Sequence, residues 1–211
     1  MQSKAPLSLL VGIVMLHALV QCTYAGTVWV DGANGDNHWS GRCEFEQKIP
    51  PNCGPKRTIE DPYDAATNGY GGVHVAASGD IVLVKPFPNG YVLTKTISFP
   101  SFPITLKSTN GPSVTTITRE PSNGLTKVSF EQNQGPGSVI EGFTITGGLG
   151  VAITCINASP TIRGNIITQN GVSGSSAGGI FLRGSNSAGN AAVIENNTIS
   201  NNYVPVYRLS P

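Results

Sequence analysis

The sequence predicts an all-β protein, a right-handed parallel β-helix (a solenoid) with a short capping helix near its N-terminal end and an incomplete C-terminal end. Three observations predict it. First, three lines of the second half fall into register: "VIEGFTITGG" from Val139, "TIRGNIITQN" from Thr161 and "VIENNTISNN" from Val193. Each repeats an apolar residue between two flanking positions, as Thr144-Ile145-Thr146, Ile166-Ile167-Thr168 and Thr198-Ile199-Ser200, with earlier copies at Thr96-Ile97-Ser98 and Thr116-Ile117-Thr118. Second, apolar landmarks beginning at Ile81, Ile104, Val128, Val151, Gly179 and Val204 are spaced 23, 24, 23, 28 and 25 residues apart. Self-similarity at such a period means a stacked repeat array. Third, the segments are short, alternate with period two and are bounded by Gly and Asn without hairpin signals, which fits coiled parallel strands better than a sandwich.

Taken in order, residues 1–25 read as a secretory signal peptide. One early charge, Lys4, precedes the mostly apolar run from Pro6 to Val20, and small residues precede Gly26. The run is short of the roughly 20 apolar residues of a membrane span. Residues 26–80 hold a first strand at Val28-Trp29-Val30, a Pro- and Lys-bearing loop between Cys43 and Cys53, and Asp61-Pro62, which suits a helix cap followed by Pro at the first helical position. In an exported chain a Cys43–Cys53 disulfide is the natural reading. Trp29, alternating with Val28 and Val30, is expected to pack under the cap. Residues 81–211 form the β-helix, about five coils of two or three strands each.

Alternation places Ile140, Ile162 and Ile194 on one face and Glu141, Arg163 and Glu195 on the other. Ile145, Ile167 and Ile199 stack along the inside, with the surrounding Thr and Ser facing water. Asn165 and Asn197 take the inward place held by Phe143, so an Asn ladder is expected at a corner, its amides bonding coil to coil. Cys155, in an apolar stretch with no His after His74, reads as a buried, unreactive thiol.

Composition excludes some partners. Once Lys4 is removed with the signal, twelve Lys and Arg face twelve Asp and Glu. No concentrated basic face suggests nucleic acid. Charged residues make up 12% of the chain, against about 25% in ordinary domains. The surface must therefore be carried by Ser, Thr, Asn and Gln.

The segment "DPYDAATNGYGGVHVAASGDIVLVKP", from Asp61 to Pro86, resembles the entry to secreted right-handed parallel β-helix proteins of the pectin-lyase-like superfamily. Pro62-Tyr63 stands for a Pro-aromatic helix start, followed by Gly79-Asp80, the β-branched run Ile81–Val84, and Pro86 with Gly90-Tyr91. "GSVIEGFTITGG" and "NASPTIRGNIITQN" are similar to that group's coil sequences. The Cys43–Cys53 loop departs from the usual short route between first strand and helix, and no closing element is recognisable before Pro211. A fragment, a truncated product, or self-association through an open C-terminal coil would each accord with that edge.

The resemblance implies activity on acidic polysaccharide, by a calcium-assisted lyase with an Arg base or by a hydrolase with clustered Asp. Both need outward carboxylates, yet Asp is absent from 81 to 211 and the acids there are Glu120, Glu131, Glu141 and Glu195. The one constellation is the column Glu141, Arg163, Glu195. On coils about 4.8 Å apart the two Glu stand roughly 9.6 Å from each other, at the upper edge of the range of about 6.5 to 9.5 Å for inverting glycosidases. Arg163 between them lowers both carboxyl pKa values, which suits a base and not an acid; the competing reading is a structural charge ladder. Arg183, Arg208 and Tyr207 are candidate contacts for a uronic acid or sugar ring, and Thr144 and Thr146 for a glycan on the hydroxyl face. "DGANGDN", from Asp31, is oxygen-rich but lacks the order of a calcium loop, so turn formation explains it, and no metal ligand set is assigned. Asn196 and Asn157 begin glycosylation acceptors in form.

The functional expectation is an exported, non-catalytic module, extracellular or in the cell envelope, presenting a Thr/Ser/Asn face to a polysaccharide, cell-surface glycan or partner surface. The alternative is the N-terminal part of a polysaccharide lyase or glycoside hydrolase. A weaker reading, ice binding by Thr-x-Thr columns, is opposed by Ile166 and by uneven coil lengths.

Overall fold

A computed structural model describes residues 25–47, 52–60, 70–119, 124, 126–171, 177–184 and 191–203. The signal segment up to residue 24, the helix start at Pro62-Tyr63, the landmark at 204–206, Tyr207 and Arg208 lie outside the described residues. Strand β1 (Thr27–Val30) and a single helical turn, α1 (Gly72–Val75), precede the coils. The first coil holds β2 (Ile81–Val84), β3 (Tyr91–Leu93) and β4 (Ile97–Ser98). The second holds β5 (Thr105–Ser108), β6 (Thr116–Arg119) and β7 (Val128–Phe130). The third holds β8 (Val139–Glu141), β9 (Thr144–Thr146) and β10 (Ile153–Ile156). The fourth holds β11 (Thr161–Arg163), β12 (Ile166–Thr168) and β13 (Ile180–Arg183), and β14 (Val193–Glu195) and β15 (Thr198–Ser200) follow.

Every strand pairs in parallel with the corresponding strand of the next coil. Three sheets result, ordered β1-β2-β5-β8-β11-β14, β3-β6-β9-β12-β15 and β4-β7-β10-β13. This is the parallel β-helix that the repeats predict, with three strands per full coil.

The landmark spacing was misleading in one respect. Ile81 and Ile104 introduce strands of the first sheet, whereas Val128, Val151 and Gly179 introduce strands of the sheet containing β4. From β2 onward, the first sheet advances by 24, 34, 22 and 32 residues per coil. Equal apolarity on all three sheets hides which sheet a strand joins. For the same reason Thr96-Ile97-Ser98 does not extend the Thr144 column: it lies on β4, and β3 pairs Tyr91 with Ile117 instead.

Inside, identical places stack. Leu106, Ile140 and Ile162 form one wholly buried column and Ile117, Ile145 and Ile167 another. Each such side chain contributes roughly 1.5–3 kcal/mol of burial. At the last described rung the same columns come to the surface, with Ile194 and Ile199 exposed at 41% and 48%.

The corners explain why the repeats read as they do. Gly142, Gly164 and Asn196 adopt positive φ between the first two sheets. Gly147, Gln169 and Asn201 do so at the next corner. One left-handed residue turns the strand, which favours Gly and Asn there. The following residue points inward. At the first corner this places the predicted ladder: Asn165 Oδ1 accepts from Phe143 N at 3.0 Å, and Asn197 Oδ1 accepts from Asn165 N at 2.9 Å. Asn170 and Asn202 form a second ladder at the next corner, with Asn202 Oδ1 accepting from Asn170 N at 3.1 Å.

At the N-terminal end, the free edge of β1 is covered by the cysteine loop. Trp29 N donates to Gly41 O, Lys56 N to Trp29 O and Asp31 N to Lys56 O, at 2.7–2.8 Å. Cys43 and Cys53 are disulfide-bonded. Trp29 does not pack inward under a cap; it is half-buried on the outer face, with Lys85 Nζ 5.7 Å from its ring centroid. The inward places of β1 belong to Val28 and Val30, as alternation requires. Asp80 ties the entry together, its buried carboxylate accepting from Gly26 N, Ala77 N and Arg42 Nη1 at 2.7 Å each.

Closing a loop of this length stabilises a fold by roughly 2–3 kcal/mol. Thermal unfolding of the Cys43→Ala/Cys53→Ala chain is expected to show that loss. An unchanged melting temperature would mean that backbone pairing alone covers the β1 edge.

Candidate functional site

Two outer faces carry the predicted residues. The sheet of β3, β6, β9, β12 and β15 presents hydroxyls. One column runs Thr116, Thr144, Ile166, Thr198, interrupted by Ile166, and the other runs Thr146, Thr168, Ser200 without interruption. Thr146 and Thr168 are half-buried and Ser200 is exposed, with Ser200 Oγ 3.5 Å from Thr168 Oγ1. Thr144 donates to Pro112 O at 2.7 Å, so its proton is already committed to the backbone. Arg119, the one charged residue on these strands, is buried. The face is therefore neutral, regular and polar.

The sheet of β5, β8, β11 and β14 carries the charged column. Arg163 sits in register between Glu141 and Glu195. It donates to Glu141 Oε2 from Nε at 2.9 Å and from Nη2 at 2.8 Å. Lys107, not anticipated from sequence, lies on the other side, with Nζ 2.9 Å from Glu141 Oε1. Burial raises the Glu141 pKa, but hydrogen bonds and charge from Lys107 and Arg163 outweigh it and hold the carboxyl below its usual range. Both of its oxygens are thus engaged by cations. Such a carboxylate is poorly suited to donating a proton at neutral pH.

Arg183 is exposed on β13, on a different sheet from Arg163. Arg208 and Tyr207, the remaining candidates, are outside the described residues. Cys155 is fully buried on β10, and burial pushes its thiol up to about 12. Asp31 makes a turn: its carboxylate accepts from Ala33 N and Asn34 N at 3.0 Å, and its carbonyl from Gly35 N at 2.8 Å. Among the described residues, no group of three or more His, Cys, Asp or Glu converges as a metal site would require.

One feature escaped the sequence. A cleft of about 410 Å³ opens at the rim of the first coil, lined by Arg57, Glu60, Phe87, Asn89 and Tyr91, among others, and by Val92. Val92 is in register with Thr118 on β6, so the cleft lies at one end of the hydroxyl sheet. The Phe87 ring lies so close to Gly32 that a Cβ there would stand 2.8 Å from it. Glu60 is buried, and that burial raises its carboxyl pKa. Comparison with family models, with curated proteins and with solved structures finds no match for this chain.

Proposed function

We propose that this chain is an exported parallel β-helix module, akin to the pectin-lyase-like superfamily, that binds a glycan on its neutral hydroxyl face without transforming it. The uninterrupted column Thr146, Thr168, Ser200 carries this reading. Parallel strands lie about 4.8 Å apart, so the hydroxyls recur at a pitch close to that of successive units in an extended polysaccharide. The cleft at the end of the same sheet supplies what such a face lacks: the half-buried aromatic side chain of Phe87 beside the exposed Arg57 and Asn89, suited to one sugar ring. Export is supported by the signal-like leader and by the Cys43–Cys53 disulfide. A lyase or hydrolase would need a proton-transfer group, and Glu141 is engaged on both oxygens, so no reaction is assigned to that column.

The test is retention of the mature chain on immobilised polysaccharides, uronate-rich and neutral. Thr146→Glu/Thr168→Glu, which replaces two column hydroxyls with carboxylates, is expected to weaken retention by about tenfold or more, equivalent to about 1.4 kcal/mol. Lys107→Ala on the charged face is expected to leave it unchanged. Equal retention of the parent and the Glu variant, with an intact circular dichroism spectrum, would remove the hydroxyl face from binding.

A further inference from the structure

Two cations are buried together at one corner of the solenoid. Arg119, the last residue of β6, takes the inward place in register with Leu93 and is 2% exposed. Its guanidinium donates to the carbonyls of Thr94 (Nη1, 3.3 Å) and Thr126 (Nη2, 3.1 Å), and to Thr96 Oγ1 (Nη2, 3.4 Å). Among the described residues its Nε has no hydrogen-bond partner. Lys127, immediately before β7, is wholly buried, and its Nζ likewise has none. On the coil beyond, Gly148 presents bare backbone to both side chains. A Cβ there would stand 3.3 Å from Lys127 Nζ and 3.4 Å from Arg119 Cβ.

Among the described residues the charges do not cancel. Glu60 is the described carboxylate that attracts Arg119, and it accepts from Thr94 N at 3.4 Å. Arg119 opposes the charge on Lys127 and no described carboxylate offsets it there, and burying an uncompensated ammonium costs several kcal/mol. Two buried donors without a described partner, on adjoining cationic side chains, favour a compact acceptor bearing negative charge. We propose that the corner formed by Arg119, Lys127 and Gly148 binds a small monovalent inorganic anion of the chloride class, bridging Lys127 Nζ and Arg119 Nε. The burial of both side chains excludes anything the size of a sugar acid, so this site is separate from the hydroxyl face and the rim cleft.

The experiment is thermal unfolding of the mature chain at pH 7, with sodium gluconate replaced stepwise by sodium chloride at fixed ionic strength. Gluconate is too large for the corner. The melting temperature of the parent chain is expected to climb with chloride by about 3 °C or more, following the linkage law for a ligand that binds only the folded state. Lys127→Met is expected to show no such climb. In bromide-soaked crystals, an anomalous peak is expected within hydrogen-bonding reach of both Nζ and Nε. An equal chloride response in parent and variant, or water at the corner of bromide-soaked crystals, would overturn the site. If Lys127→Met does not fold, the bromide peak decides alone.

Discussion

Asn165→Ala is expected to destabilise the fold by about 3 kcal/mol or more, the largest loss of any single substitution at a corner. Asn165 is 1% exposed and uses its whole amide. Oδ1 accepts from Phe143 N, while Nδ2 donates to Ile140 O at 3.1 Å, Arg163 O at 3.0 Å and Asn197 Oδ1 at 3.1 Å. Alanine orphans a buried backbone donor and two carbonyls and leaves a cavity, and each orphaned group costs about 1–3 kcal/mol. Chemical denaturation of the variant measures the sum. Asn165→Asp separates hydrogen bonding from volume. It keeps the shape but turns an acceptor toward Ile140 O and Arg163 O, so it is expected to be at least as damaging as alanine. Asn170→Ala should cost less, because Asn170 Oδ1 has no donor to lose. Similar losses at 165 and 170 would mean that the ladder acts through packing and not through its bonds.

That difference between two Asn residues also marks how much the sequence discloses. The first ladder was legible because Asn165 and Asn197 align with Phe143 within a phrase that repeats three times. The second was not, since Asn170 and Asn202 lie at the ragged end of the phrase and Gly148 holds the matching place in the coil before. The inward columns of Ile145 and Ile167 follow from period two alone, whereas sheet membership does not, so the evenly spaced landmarks at 81 and 128 mark successive turns without showing that they lie on different sheets. At the charged column, three residues were legible and Lys107 was missed, because its strand, Thr105–Ser108, carries no copy of the phrase. The rim cleft could not be read at all. It joins residues near 32, 57–60 and 87–92, whose proximity exists only after the cysteine loop folds over β1. Arg119 and Lys127 were illegible for a different reason: a lone cation reads as surface unless the register that turns it inward is known.

Lys127→Met is expected to stabilise the protein, by roughly 1–4 kcal/mol in low-halide buffer at pH 7, since replacing a buried charge with a well-packed apolar side chain removes its desolvation cost. The pH dependence carries the same physics and gives a sharper test. Burial, with the Arg119 charge as a smaller contribution, pushes the Lys127 ammonium down to about 8 from 10.5. Among the described residues, the charged groups that act here are Arg119, which opposes protonation of Lys127, and Glu60, which acts on Arg119. Below pH 8 both folded and unfolded chains carry the proton, and the folded chain bears the full penalty. Between pH 8 and 10.5 the unfolded chain binds more protons, so stability rises with pH by up to about 1.4 kcal/mol per unit, and by about 3 kcal/mol in all. Lys56, whose pKa is lowered mainly by burial, works in the same sense. Cys155 and Tyr91, both raised mainly by burial, work against it: they withdraw stability as pH climbs through their unfolded values of 9 and 10. The difference between parent and Lys127→Met cancels those contributions. Denaturation curves taken at half-unit steps from pH 7 to 10.5 should therefore show the variant's advantage shrinking steadily from pH 8 upward. An advantage that stays constant across that window would mean that Lys127 keeps its proton in the folded chain up to pH 10.5, as it would if held by a tightly paired anion.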